Sequence, residues 1–374
     1  MKFSSAEIQK KRPIIFLLVL FFILWITGSY FDGLGPVSEF KTNEFRIVEI
    51  KKGEGVWSIA KKLKEKGVIK SRWVFIIEAL RTGLYNKIKP GEYAFYTHQS
   101  LGEILRILVE GRVLSHKITI PEGLTLWQIA EILDRNNICK KEEFLKLAQD
   151  PQVAKKFGLP GPTLEGYLYP DTYYFHKYTH PGVIIKTMVD NFWKHWDKYK
   201  DIANKKGMSL KEVITLASIV EKEAIYSKEK PIIAAVYLNR LKRGMPLQAD
   251  PTINYALRNF RRLYYKDYYS VKSPYNTYLN YGLPPTPICS PGEDSIKAVL
   301  FPAKVSYLYF VAKGDGTHYF SRTYREHLRA IRLVRRIRKK HRRVYKKFSG
   351  NNSKILKTKS SLLFQFQNKV KENF

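Results

Sequence analysis

Cysteine is nearly absent. The 374 residues hold two, Cys139 and Cys289, so no disulfide framework can staple the fold. Cys139 follows Ile138 at a helix–strand boundary and Cys289 lies in "PICSPG"; both read as buried free thiols. Negative charge is scarce too, with 33 Asp and Glu against 66 Lys and Arg, a net +33. The signatures of metal, nucleotide and serine chemistry are also missing. The eight histidines show no H-E-x-x-H spacing, and His176 and His180 precede Pro181, which argues against a zinc-binding helix. No G-x-S-x-G elbow, P-loop or dinucleotide-binding glycine run occurs. No metal and no cofactor are therefore expected. What remains are carboxylates, amides and aromatic rings. These suit carbohydrate: acids for the glycosidic oxygen, amides for hydroxyls, aromatic faces for sugar rings.

The ends of the chain say where it works. Residues 13–31, "PIIFLLVLFFILWITGSYF", carry no charge. As a helix this stretch spans roughly 28 Å, enough for a hydrocarbon core of about 30 Å. Lys10, Lys11 and Arg12 precede it, while Asp32 and Glu39 follow. That bias places residues 1–12 in the cytoplasm and the rest outside a single-pass cytoplasmic (inner) membrane. No small-x-small cleavage site follows the apolar run, and Trp25 and Tyr30 suit an interface, so an uncleaved anchor is expected rather than a signal peptide. At the other end, residues 329–374 hold 16 Lys and Arg against the single acid Glu372, a net +15 that leaves +18 for the rest. Leu328, Ile331, Val334 and Ile337 recur every three residues there, the pattern of a basic amphipathic helix. Outside the membrane the available polyanions are lipid headgroups and anionic wall polymers, so no nucleic-acid partner is expected. A solvated tail is the alternative.

Two segments 70 residues apart align without a gap: "IKKGEGVWSIAKKLKEKGVIK" (50–70) and "IPEGLTLWQIAEILDRNNICK" (120–140). They share Ile50/Ile120, Gly53/Gly123, Trp57/Trp127, Ile59/Ile129, Ala60/Ala130 and Leu63/Leu133. Each copy predicts a short strand, a glycine turn and an amphipathic helix. The first copy resembles a LysM-type glycan-binding module. Beyond residue 160, Tyr, Asn, Pro and Gly cluster. "LEGYLYPDTYYF" (164–175) reads as an extended run broken by Pro170, and 208–225 and 230–243 as helices, the second ended by Gly244. "LQADPTINYAL" (247–257) opens a further helix with Asp250 as N-cap and Pro251 at its first position. "SPYNTYLNYGLPPTPICSPG" (273–292) is a long loop, and "YLYFVAKGDGTHYFS" (307–321) a hairpin around "GDG".

The helix over 208–225 ends in two acids, Glu221 and Glu223. At 100° per residue, Val213, Leu216, Ala217, Val220 and Ala224 centre its apolar stripe. The two acids fall about 80° to either side of that stripe, some 160° apart. Only one can enter a given cleft, and the wheel does not say which. Two boundary carboxylates of an ordinary helix are the plain alternative.

"ASIVEKEA", "AAVYLNRLKRGMPLQADPTINYAL", "SPYNTYLNYGLPPTPICSPG" and "LYFVAKGDGTHYFSRTYREHL", in this order, resemble the YceG-like endolytic murein transglycosylases; "EGYLYPDTYYF" and the anchored, LysM-like N-terminal part fit as well. The resemblance covers about residues 13–333. It implies an α+β architecture: a transmembrane helix (13–31), a small LysM-like α/β subdomain (41–115) and a larger mixed α+β catalytic domain (116–333) containing the second repeat. The basic extension (334–374) is no part of the family pattern. The implied activity is cleavage of the MurNAc–GlcNAc bond within peptidoglycan glycan strands, without net hydrolysis, during cell-wall assembly. Wall-synthesis enzymes would be further partners. The resemblance assigns the single catalytic acid to the first Glu of "VEKE", here Glu221. It would protonate the leaving oxygen, then take the proton of the MurNAc 6-hydroxyl as a 1,6-anhydro ring closes.

Around that acid, Glu223 would orient Glu221 or pair with Arg240. Gln248 and Asp250 match the family's "LQ-x-D-P" segment, and Tyr275, Asn276, Thr277 and Tyr278 read as a sugar-facing loop, although Tyr–Asn pairs also lock loops structurally. Glu165, Asp171 and His318 complete the candidate substrate contacts, with structural roles as their alternative. Two other functions compete: a peptidoglycan hydrolase using Glu221 with Asp250, and a non-catalytic, membrane-tethered glycan-binding scaffold.

Overall fold

The computed structural model describes the backbone of residues 5–40 and 44–349 and the side chains of 14–40 and 44–339. The charge-free run lies within the first helix, α1 (Ser5–Leu34); its stretch Ile14–Leu34 is long and apolar enough to cross a membrane, and Ile14–Ser29 are exposed. A signal sequence would pass the same test. The chain then divides into two compact units, residues 1–117 with 174–179, and 118–173 with 180–374.

The first unit runs β1 (Phe45–Ile50), α2 (Val56–Glu65), α3 (Arg72–Arg81), β2 (Gly91–Tyr96) and α4 (Leu101–Glu110), and the chain leaves it within β3 (Ser115–Ile120). β1 and β2 pair antiparallel, from Phe45 opposite Tyr96 to Ile50 opposite Gly91. Alternation along β2 turns Tyr93 and Phe95 inward, onto Ile59 and Leu63 of α2, Phe75 of α3 and Ile104 and Leu108 of α4. Each such Ile, Leu or Phe contributes about 1.5–3 kcal/mol by leaving water. Ser100 and Glu103 close a capping box at the start of α4, and Gly111 ends it in the left-handed conformation. α1 is part of this unit: Tyr30 Oη donates to Glu78 (2.8 Å), Lys70 Nζ reaches Asp32 (2.7 Å), and Gly33 lies directly against Val74.

The second unit contains α5 (Leu126–Arg135), α6 (Lys141–Ala148), α7 (Pro151–Lys156), the first half of β4 (Asp171–His176), α8 (Pro181–Trp196), α9 (Lys200–Lys205), α10 (Leu210–Glu223), α11 (Lys230–Lys242), α12 (Asp250–Ala256), α13 (Asp267–Ser270), α14 (Glu293–Leu300), β5 (Tyr309–Ala312), β6 (His318–Ser321) and α15 (Tyr324–Ser349). Both copies of the repeat take the expected strand–turn–helix form. β1, Gly53 and α2 correspond to β3, Gly123 and α5, and both glycines hold the positive φ that other residues avoid. Both cysteines are free and buried.

α10 is the spine of the unit. Ser209 and Glu212 form a capping box at its start, and every residue from Val213 to Val220 is buried as it packs on α11, α12 and α14. The Ser218 hydroxyl accepts from Ile288 N–H (3.0 Å), and the Cys289 thiol donates to Ser218 C=O, so the proline-rich loop is tied down onto this helix. The β5–β6 hairpin turns through the two "GDG" glycines, both at positive φ. α15 packs on that hairpin with Val334 buried at 3% exposure and the Arg338 guanidinium bonded to Ala312 C=O (3.2 Å). Of the apolar stripe of the basic helix, Val334 is buried, Ile331 and Ile337 are half-buried and Leu328 is exposed. Residues 350–374, and the side chains from 340 onward, lie outside the described residues.

Candidate active site

The last turn of α10 sends its charged side chains in three directions. Glu221 points into the fold: it accepts from Lys230 Nζ (3.1 and 3.2 Å), Gly292 N–H (3.0 Å) and Ser295 Oγ (2.6 Å). Its side chain is 10% exposed and that of Lys230 5%, so this is a buried ion pair with its lone pairs used. Glu122 faces the same ammonium at 3.8 Å and its carboxylate lies directly against Gly292, where a Cβ would push it aside. Lys222 lies over the ring of Phe260, 4.3 Å from its centroid.

Glu223 alone turns toward open space. It lines a cleft of about 430 Å³ together with Tyr237, Arg240, Asp250, Tyr278 and His318. Tyr237 Oη donates to Glu223 Oε1 (2.8 Å); among the described residues no hydrogen bond reaches Oε2. Desolvation pushes its carboxyl up to about 7, against the hydrogen bond from Tyr237 and with help from the negative charge of Asp250. An acid half-protonated near neutrality, with one oxygen open to a cleft, can donate a proton and take one back.

The cleft walls are aromatic. Asp250 accepts from Tyr278 Oη (2.6 Å) and Tyr268 Oη (3.5 Å), and the two tyrosine rings lie 4.5 Å apart. Desolvation raises the Asp250 carboxyl above its ordinary range, against these hydrogen bonds. Among the described residues Arg240 has no acid partner: its guanidinium donates to Leu247 C=O (3.2 Å) and Gln248 Oε1 (2.6 Å) and stands over Tyr309. This fixes Gln248, which holds a positive φ of 55°. His318 accompanies them, its ring bonded to Glu229 (2.7 Å), and Tyr309 stacks on His327 of α15.

Several sequence expectations need correction. Glu221 does not line the cleft; Lys230, Gly292 and Ser295 hold it on the other side of α10. Glu223 does not pair with Arg240 but bonds Tyr237. Asp250 is no N-cap: it is the first residue of α12, makes no capping bond, and gives its carboxylate to the tyrosines. Asn276 and Thr277 are buried braces of the loop. Asn276 Nδ2 donates to Tyr268 and Val271 C=O, and Thr277 Oγ1 accepts from Ala249 N–H. Tyr275 bonds Thr286 (2.7 Å) away from the cleft, leaving Tyr278 as the cleft-facing member of that run. Glu165 lies beneath α5, where it accepts from Leu126 N–H (3.2 and 3.3 Å) and Tyr255 Oη (3.0 Å); burial pushes it up to about 8. Asp171 is an exposed partner of Asn191 at the start of β4. Of the expected contacts, Glu223, Gln248, Asp250, Tyr278 and His318 come together in one cleft. Tyr237, Tyr268, Tyr309 and His327 also line it and went unnoticed in the sequence, where nothing separates them from 25 tyrosines and eight histidines.

Comparison with known proteins identifies the relatives of this chain. An endolytic murein transglycosylase of Bacillus subtilis is 36% identical over 328 residues, 82% of this chain and 90% of that protein. One from Streptococcus pneumoniae (strain D39) is 29% identical over 358 residues, 86% of this chain and 65% of that protein. The crystal structure of a YceG-like protein from Listeria monocytogenes superposes with a TM-score of 0.55 at 37% identity, covering 77% of this chain and 99% of that one. The sequence model of the YceG-like family matches residues 48–333, from β1 through the cleft to the middle of α15. This chain belongs to the YceG-like family.

Proposed function

We propose that the chain is an endolytic transglycosylase of peptidoglycan in which Glu223, not Glu221, is the catalytic acid. One observation carries the assignment: Glu223 is the acid of "VEKE" that lines the cleft, with a raised pKa and a free carboxyl oxygen. Its proton goes to the glycosidic oxygen leaving MurNAc C1, the C1–O bond breaks, and the MurNAc 6-hydroxyl oxygen closes on C1. The hydroxyl proton returns to the Glu223 carboxylate, which restores the acid without water. Tyr237 holds the side chain in place, and Asp250, fixed by Tyr268 and Tyr278, supplies negative charge close to the developing oxocarbenium centre. The tyrosine walls offer rings to the sugar faces.

Asp250 also supports a second reading. A carboxylate in the same cleft could activate water, making the protein a hydrolase with Glu223 as acid. Mass spectrometry of sacculi digested by the full chain separates the two: 1,6-anhydro ends support the transglycosylase, reducing ends the hydrolase. No new ends of either kind would leave a tethered, non-catalytic glycan binder.

Placement follows from the charge-free run of α1. The N-terminus would lie in the cytoplasm, α1 would cross the membrane once, and both units would lie outside, where nascent strands emerge. The strand–helix–helix–strand order of β1, α2, α3 and β2 supports reading that segment as a LysM-like glycan contact. Wall-synthesis enzymes are the further partners this position suggests.

A further inference from the structure

The first unit exposes an apolar face that its own core does not need. Trp73, Ile77 and Leu80 of α3, spaced i, i+4 and i+7, share one side of that helix and are each at least 50% exposed. Trp57 of α2, 60% exposed, meets Trp73 edge to face at 5.6 Å, and the Arg72 guanidinium stands 5.0 Å from the Trp73 ring. The neighbour of this face identifies its occupant. α1 packs against α3 as well as α4, and its contacts with α3 and the residues leading into it run in order: Lys70 to Asp32, Val74 to Gly33, Glu78 to Tyr30. From the middle of α3 toward its end, the contacts step back along α1 toward the apolar stretch. The exposed stripe is therefore level with the last turns of the helix read as membrane-spanning.

We propose that Trp57, Trp73, Ile77 and Leu80 form a second membrane contact, bedding the first unit into the outer lipid interface beside α1. Tryptophan favours that depth, and Arg72 is placed to reach lipid phosphate while its neighbouring ring sits lower. Glycan is the poorer occupant: two rings at 83° form no flat platform for a sugar, and Ile77 and Leu80 offer nothing to hydroxyls. The inference rests on the reading of α1 as an anchor. It adds that the anchor is clamped rather than loosely tethered, so the first unit is held at a fixed height above the bilayer.

The test uses the full chain in vesicles of phosphatidylcholine and phosphatidylglycerol, with or without bromine on the acyl chains. Tryptophan emission is compared for the parent, Trp25→Phe and the pair Trp57→Phe/Trp73→Phe. The emission lost in the paired variant should be blue-shifted and quenched about two-fold or more by brominated lipid. If that component is unquenched while the Trp25 component is quenched, the anchor stands and the second contact is refuted. If neither is quenched, the anchor reading itself falls and this inference with it. A response of Trp57 and Trp73 to soluble glycan oligomers but not to bromine would assign the face to the wall instead.

Discussion

Exchanging each acid of "VEKE" for its amide should separate structure from chemistry. In Glu221→Gln the side chain keeps its shape but loses the charge that faces Lys230, whose ammonium is nearly inaccessible. Breaking a buried ion pair costs about 3–5 kcal/mol. Glu122 still faces Lys230 at 3.8 Å, and an amide oxygen can still accept from Gly292 N–H, so the loss should be about 2–3 kcal/mol. In a unit of this size that lowers the Tm by roughly 4–12 °C. Below that temperature turnover should stay within about ten-fold of the parent. Glu223→Gln should do the reverse, with turnover down by about 100-fold or more. Its stability should not fall. The native Glu223 carboxyl titrates near 7 and the unfolded one near 4.5, so the native state keeps a proton that the unfolded state gives up between those values. Parent stability therefore declines as pH rises from 4.5 to 7, by up to about 3 kcal/mol, and the amide removes that slope. Thermal unfolding across this pH range, with mass spectrometry of digested sacculi, reads both effects. A Glu221→Gln protein that melts like the parent but makes no new ends, beside an active Glu223→Gln, would refute the assignment.

The same cleft makes further predictions. With a single acid near 7, kcat/KM should fall about ten-fold per pH unit on the alkaline side, measured on soluble glycan oligomers. Tyr237→Phe removes a hydrogen bond that favours the carboxylate and should move that limb to higher pH, whereas Asp250→Asn removes a repelling charge and should move it lower; equal profiles in both would show that another group titrates. The basic tail should act as a salt-sensitive contact with anionic wall polymer or lipid. Because Ile331 lines the cleft and Val334 is buried, the chain must be cut after residue 339 and not at residue 329, where the basic run begins. That truncation should keep cleavage and lose low-salt binding to sacculi, and unchanged binding would make the tail a solvated extension.

Much of the fold could be read from local pattern. The two strand–turn–helix copies, the proline-rich loop, the "GDG" hairpin and α10 all follow from periodicity and turn residues, because their determinants lie within a few positions. The different surroundings of the two acids could not. It is set by Lys230 at the start of α11 and by Gly292 and Ser295, which are 71 and 74 residues from Glu221. The 273–292 loop supported two readings for a related reason. A segment without regular structure still has to satisfy its backbone, and Asn276 and Thr277 do so from inside, in the polar composition that a sugar-binding loop would also show.

One feature of α10 links these observations. Its acids stand at the C-terminal end, where unpaired carbonyls carry partial negative charge and disfavour a carboxylate by about 0.3–1 kcal/mol. A helix ending in Glu-Lys-Glu there needs compensation for each acid, and the two receive opposite kinds. Glu221 meets an ammonium and two further donors, and so links α10 to α11 and to the start of α14. Glu223 receives one neutral hydroxyl and the repulsion of Asp250, conditions under which it is most stable protonated. The backbone turns extended at Ala224, so no further turn of helix covers the Glu223 carboxyl. The Glu221 network thus fixes the end of the helix in place, and the fixed end presents Glu223, the acid proposed to react, to the cleft.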